Sequence, residues 1–204
     1  TRIKILGTST YLFSVLFYDA NGRLIQVQSQ NQSTGTDVMT TQYAWSGLVV
    51  STIAKTQKSG TNAQTTIAVA KLTYDDLGRL IKTEKKVSHT LISSGSMPSE
   101  WTVVGENGYD KLGQLVKKRL GRTRDGSGSY TSTPIDSLQY DYNVRGWLLG
   151  ANRSFAKSTS STTNYFGFDL GYDQTGIASI GSYTAAQYNG NINGTVWKTM
   201  GDQE

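Results

Sequence analysis

The 204-residue chain has no cysteine, one histidine, two prolines and no long apolar run. Without cysteine it has neither a disulfide framework nor a thiolate metal site. The lone histidine, His89, lies in a Lys-rich segment with no Ser or carboxylate constellation beside it, so nucleophilic or general-base catalysis has little to build on. The most apolar stretch, Leu12-Phe13-Ser14-Val15-Leu16-Phe17, is far too short to span a bilayer or to serve as a signal peptide. Charge is sparse at 17%, and the net +5 is only mildly basic. Its densest groups are Lys82/Lys85/Lys86 and Lys117/Lys118/Arg119 with Arg122/Arg124. We read them as solvated strand faces that blunt sheet edges rather than as a nucleic-acid stripe, with an anionic glycan as the alternative.

Glycine and tyrosine are plentiful instead, with 22 Gly and 12 Tyr beside 4 Trp. They are organised. A Tyr, a Gly four residues on and an aliphatic residue six on recur as Tyr18/Gly22/Leu24, Tyr43/Gly47/Val49, Tyr74/Gly78/Leu80, Tyr109/Gly113/Leu115, Tyr142/Gly146/Leu148 and, more weakly, Tyr172/Gly176/Ala178. Successive Tyr numbers differ by 25, 31, 35, 33 and 30, a spacing at which repeat architectures occur. Asp19, Asp75, Asp110 and Asp173 follow their Tyr, and the Gly lies three residues after the Asp. This is the chemistry of a type I turn closed by a left-handed Gly, the three-residue hairpin loop with a bulge. In that register Tyr18 faces Leu24 and Tyr74 faces Leu80, while Asp19 faces Arg23 and Asp75 faces Arg79. Each hairpin is thus expected to have one apolar and one charged face.

Residues at even spacing before each Tyr support incoming strands: Ala68, Ala70 and Leu72; Trp101 and Val103; Leu138 and Tyr140; Phe166, Phe168 and Leu170. On one outgoing strand Lys82, Glu84 and Lys86 share parity with Leu80, so either that strand emerges into solvent or a bulge changes its facing residues. Ser/Thr/Gly-rich stretches at 57–64, 93–99, 124–133 and 158–164 read as loops. The expectation is an all-β chain, one domain over 1–204. It is an antiparallel meander of about twelve strands forming a curled sheet or ribbon, an open barrel or a shell segment. Asn189-Gly190 suggests a type I′ turn leading into a further strand up to Lys198. Because the chain starts at Thr1 rather than Met, we read it as a fragment of a longer protein.

The phrases Phe17-Tyr18-Asp19-Ala20-Asn21-Gly22-Arg23-Leu24-Ile25 and Leu72-Thr73-Tyr74-Asp75-Asp76-Leu77-Gly78-Arg79-Leu80-Ile81 resemble the YD repeat of RHS proteins. So do Gly108-Tyr109-Asp110-Lys111-Leu112-Gly113-Gln114-Leu115 and Tyr140-Asp141-Tyr142-Asn143-Val144-Arg145-Gly146-Trp147-Leu148. The last, with Tyr188-Asn189-Gly190-Asn191-Ile192, resembles the variety in large exported proteins of Bacteroidetes-type bacteria. The resemblance runs from about Tyr11 to Lys198. It implies a β ribbon that in longer relatives spirals into a hollow shell. Such shells enclose a toxic domain in toxin complexes and polymorphic toxins, and form extracellular scaffold in teneurin-like surface proteins. The Asp-Pro-rich self-cleavage motif of relatives is missing, and Ala44-Trp45 replaces the expected Asp after Tyr43.

The function expected is therefore a non-enzymatic structural module of an exported or cell-surface bacterial protein. It needs no cofactor or metal, has no nucleic-acid partner and no membrane span, and is partnered by neighbouring repeats of a longer chain. The alternative is a glycan-binding surface module, with Trp147, Tyr165 and Trp197 as outward aromatics that stack on sugar rings. Asp125-Gly126-Ser127-Gly128-Ser129 reads as a loop, because it lacks the Gly and the bidentate Glu of a calcium-binding EF-hand. Asp75, Asp76, Glu100, Glu106 and Asp136 supply carboxylates without a glycosidase motif. Asn31, Asn152 and Asn193 open N-x-Ser/Thr sequons.

Overall fold

The computed structural model describes residues 1–92, 94–177, 180–183 and 185–201. Ser93, expected to open a loop, and Ala178, the expected aliphatic of the sixth phrase, lie outside the described residues. The described residues are all-β, thirteen strands that pair antiparallel with their sequence neighbours within two compact units, 1–104 and 105–204. The first unit holds β1 (Arg2–Lys4), β2 (Tyr11–Tyr18), β3 (Leu24–Gln30), β4 (Thr36–Tyr43), β5 (Val49–Lys58), β6 (Gln64–Tyr74) and β7 (Leu80–His89). The second holds most of β8 (Thr102–Tyr109), then β9 (Leu115–Leu120), β10 (Asp136–Tyr142), β11 (Leu148–Ala151), the one-turn helix α1 (Arg153–Ala156), β12 (Phe166–Gly171) and β13 (Gly194–Thr199).

Turn chemistry sets the register of five hairpins. The pairs are Tyr18 with Leu24, Tyr43 with Val49, Tyr74 with Leu80, Tyr109 with Leu115 and Tyr142 with Leu148. One step further the ladder slips in every case. Phe17 meets Gln26, Gln42 meets Ser51, Thr73 meets Lys82, Gly108 meets Lys117 and Asp141 meets Gly150. The skipped residues, Ile25, Val50, Ile81, Val116 and Leu149, are the extra residues of a bulge on each outgoing strand. The bulge decides the parity question on β7. Thr83 and Lys85, rather than Lys82 and Glu84, pair with Leu72 and Ala70 on the Tyr74 side.

The division into an apolar and a charged face holds at the turns but not along the strands. On β2 the side opposite Tyr18 carries Phe13, Val15 and Phe17, which are 52%, 54% and 41% exposed. The pairing continues that side through Gln26 and Thr40 to Ile53 and Val69. Both faces of the first unit are therefore mixed, and strand alternation alone covers neither.

Among the described residues the buried hydrophobic side chains all lie in the second unit: Ala151, Phe155, Ala156, Tyr172, Ile177 and Tyr183. They gather where glycines bare the strand backbone. Phe155 of α1 lies against Gly167, and the Tyr183 ring lies between Gly171 and Gly194. A Cβ on Gly171 would stand 2.5 Å from Tyr183 Cδ2, and one on Gly194 would stand 2.4 Å from Cδ1. We expect Gly171→Ala to destabilise the second unit by about 1–3 kcal/mol, the cost of overpacking a filled site, read as a lowered midpoint in urea unfolding.

Candidate functional site

The repeated residues build one structure at each turn. In the first hairpin the Gly22 N–H donates to the Asp19 carbonyl (3.0 Å) and the Asp19 N–H to the Arg23 carbonyl (2.9 Å), with Gly22 at φ +75°. Asp19 Oδ1 accepts from the Asn21 and Arg23 amides, both at 2.9 Å, and Oδ2 takes the Arg23 guanidinium at 2.7 Å. Asp75 does the same with Leu77 and Arg79. Asp110 accepts from the Leu112 and Gln114 amides, and Asn143 accepts from those of Arg145 and Trp147. At Ala44 the backbone bonds persist without a side-chain acceptor: Ala44 N–H to the Leu48 carbonyl, and Gly47 N–H to the Ala44 carbonyl. The turn therefore depends on a left-handed residue at that position, which in these five hairpins is glycine, and the side-chain acceptor reinforces it.

Two more copies of this turn fall where the repeat spacing does not point. Asp125, read from the sequence as part of a loop, closes the same turn: its Oδ1 accepts from Ser127 and Ser129, and Gly128 sits at φ +83°. Asn31 closes another at the opposite end of the β3–β4 pair, with Thr34 at φ +60° in the glycine position. The Asp-to-Gly spacing at Asp125 matches the phrase and was the available signal.

Between repeats, the tyrosine hydroxyl is the joint. Tyr43 Oη donates to the Leu24 carbonyl (3.0 Å), Tyr74 to Val49 (2.8 Å), Tyr142 to Leu115 (3.0 Å) and Tyr172 to Leu148 (3.0 Å). In each case the acceptor is the aliphatic residue of the preceding repeat. The pairing explains why a donor is wanted there. The ladder between one repeat's outgoing strand and the next repeat's incoming strand ends at Gln26 with Thr40, Ser51 with Lys71, Lys117 with Gln139 and Gly150 with Asp169. That is always two residues past the aliphatic and three before the tyrosine, so the aliphatic's carbonyl is left beyond the last rung. Neighbouring side chains brace the joint. Arg23 lies 5.0 Å over the Tyr43 ring and Trp147 packs 5.4 Å from the Tyr172 ring.

The same offsets correct the sixth phrase. Gly176 has an ordinary φ and bridges Ser182, so it closes no repeat hairpin. Gly171 instead pairs with Gly194. Counting back by the shared offset makes Ile192 the aliphatic and Gly190, at φ +92°, the turn glycine. Trp147 approaches Gly190 just as Leu48 approaches Gly78 and Gln114 approaches Gly146. The sixth repeat is therefore split by an insert over 174–189, and Asn189-Gly190 is its far end rather than a two-residue turn. The Gly-x-Ile spacing at Gly190 and Ile192 carried this signal.

The insert brings Tyr183 onto Asp169, a residue only 3% exposed. Tyr183 Oη donates to Asp169 Oδ2 at 2.8 Å, Arg153 pairs with Oδ1, and Lys157 Nζ stands 3.4 Å from Oδ1. Burial, reinforced by the Asp169 hydrogen bond, pushes the Tyr183 phenol far up, so it stays a donor. This is an anchor, with every partner committed to fastening α1 and the insert to β12. Trp147 is half-buried between Tyr172, Arg145 and Gly190, in a recess of about 260 Å³ shared with Asn143, Asp173, Gln187 and Tyr188. Tyr165 and Trp197 are exposed at 54% and 62%. The sequon residues Asn31 and Asn152 spend their amides inside the fold, on Asp37 and the Gln57 carbonyl and on the Ser137 and Phe166 carbonyls. Among the described residues no three His, Cys, Asp or Glu side chains converge as metal ligands would, and no helix is long and apolar enough to cross a membrane.

Compared with known proteins, the chain matches no family model and no curated protein.

Removing one tether should cost about 1 kcal/mol, the net worth of a half-buried hydrogen bond. Tyr74→Phe is expected to lower unfolding stability by that amount, whereas Tyr18→Phe, whose hydroxyl has no partner among the described residues, should leave it unchanged. The Arg23 amide, then its guanidinium, holds the Asp19 carboxyl below its ordinary 3.8, the Arg79 amide does so for Asp75, and the Ser127 hydroxyl leads at Asp125. A depressed folded pKa makes the unfolded chain bind more protons, so this stability is present above pH 3.8 and is lost as pH falls below it. Asn143 makes the same amide bonds, so a triple Asp19→Asn/Asp75→Asn/Asp125→Asn variant should keep the fold near neutrality and show a flatter acid limb in pH-dependent unfolding.

Proposed function

We propose that the chain is a non-enzymatic repeat module of the RHS/YD type, serving as scaffold or shell wall in a large exported or cell-surface bacterial protein. In such a protein it encloses a toxic domain or presents a surface for intercellular contact. The observation that carries this reading is the recurrent joint. At Tyr43, Tyr74, Tyr142 and Tyr172 the hydroxyl fastens the repeat to the aliphatic residue of the previous one, while the Gly, with an Asp or Asn acceptor at most turns, closes the hairpin. A motif spent wholly on propagation suits a protein whose work is to extend a sheet.

The Trp147–Tyr188 recess favours a second reading, a glycan-binding surface module. Tyr188 offers an exposed ring, and Asn143, Asp173 and Gln187 offer amide and carboxylate partners for hydroxyls. A glycan array separates the two readings. The scaffold reading expects no selective ligand. Selective micromolar binding that Tyr188→Ala abolishes would overturn it.

A further inference from the structure

We propose that the edge of β2 from Val15 to Tyr18 is a docking site for the outgoing strand of a further hairpin of this same repeat. That hairpin's aliphatic residue would give its carbonyl to the Tyr18 hydroxyl. The inference rests on the scaffold reading and adds to it a position and a register.

The first argument is the unused donor. Tyr43, Tyr74, Tyr142 and Tyr172 each hold the carbonyl of a preceding aliphatic residue. Tyr18 carries the same phrase and closes the same hairpin, yet its hydroxyl has no partner among the described residues and the residue is 57% exposed. Tyr43, Tyr74 and Tyr142 are half-buried, and Tyr172 is buried.

The second argument is the open edge. β1 pairs with β2 only from Tyr11 to Phe13, and Thr1 then exchanges backbone bonds with Ser14 (2.8 and 2.9 Å). In the other joints the last rung stands three residues before the Tyr, which on β2 is Val15. β1 does not reach it. Val15, Leu16 and Phe17 are 54%, 38% and 41% exposed, an apolar strand uncovered on both faces.

The third argument identifies the occupant. In the joints at Gly78, Gly146 and Gly190 the residue just before the preceding aliphatic, Leu48, Gln114 or Trp147, approaches the turn glycine. Around Gly22 that space is empty, as it also is around Gly47, where the corresponding Arg23 lies over the Tyr43 ring instead. A strand that supplies a carbonyl to Tyr18 and a side chain to the space beside Gly22 is one leaving a turn as Gly-x-aliphatic, which describes this repeat and not an arbitrary extended peptide.

The register makes the test sharp. Residues 36–51 of this chain, a hairpin with the start of its outgoing strand, are grafted directly ahead of Thr1. Ser51 then falls opposite Val15, and Val49 falls at the tether position. A second graft carries one extra Gly between Ser51 and Thr1, which turns every side chain to the wrong face. The in-register graft should raise the thermal midpoint by about 2–4 °C and slow amide exchange at Val15–Tyr18. Tyr18→Phe, silent in the ungrafted chain, should then remove much of that gain.

Equal midpoints for the two grafts would overturn the proposal. So would a graft that stays unstructured on an otherwise unchanged chain, or a Tyr18→Phe that remains silent. Concentration-dependent assembly of the ungrafted chain that Tyr18→Phe abolishes would put a second copy on this edge in place of the hairpin. A positive glycan array would sink the scaffold reading while leaving the graft result to stand on its own.

Discussion

The bond from a tyrosine hydroxyl to the carbonyl of the preceding repeat's aliphatic residue is the constraint on which the other regularities depend. A backbone carbonyl just beyond the last rung of a ladder needs a donor, and no amide is placed to supply it. The tyrosine answers from the very next strand, at the end where its own hairpin turns. Because Oη must reach one particular carbonyl, the ladder has to stop at a fixed distance on both strands, and it does so in all four joints. The hairpin turn fixes the pairing within a repeat, and the tether fixes the pairing between repeats.

The bulges and the thin core follow from the same plan. In the five hairpins the outgoing strand opens with two adjacent aliphatic residues, Leu24-Ile25 through Leu148-Leu149, and the second is the one skipped by the ladder. The slip shifts parity along the rest of the strand, so apolar residues reach both faces and side chains of the first unit remain half-exposed. In the second unit α1 and the insert cover one face, and the strands there carry Gly167, Gly171 and Gly194 so that Phe155 and Tyr183 can lie on bare backbone. Asp169, buried under that cover, is held by Arg153, Lys157 and Tyr183, which offsets the cost of removing its charge from water.

Much of this was legible in the sequence because the relevant forces act over a few residues. The pairing of Tyr18 with Leu24, the contact of Asp19 with Arg23 and the left-handed Gly22 all follow from the steric needs of one tight turn. The tether was not legible. The phrase shows a conspicuous tyrosine, but its acceptor lies 19 to 27 residues back across a loop of variable length. The true glycine of the sixth repeat was hidden for a related reason. Gly176 has the right spacing from Tyr172, and only the pairing of Gly171 with Gly194 shows that Gly190 does the work. Asp125 follows no tyrosine, so the repeat spacing does not mark it, whereas the turn itself needs only a residue that takes the left-handed conformation and is reinforced by a side-chain acceptor.

Composition, spacing and turn chemistry by themselves determined an all-β meander, the position of five hairpin turns and the cross-strand partner of each repeated residue, since these depend on backbone sterics within seven consecutive positions. Tertiary structure alone decided where each inter-repeat ladder stops, which bulge residue is skipped, which glycine ends the sixth repeat and which carboxylate is buried. These outcomes depend on atoms that meet only after strands far apart in the chain have been laid side by side, and the free energy of that meeting is written in no local window.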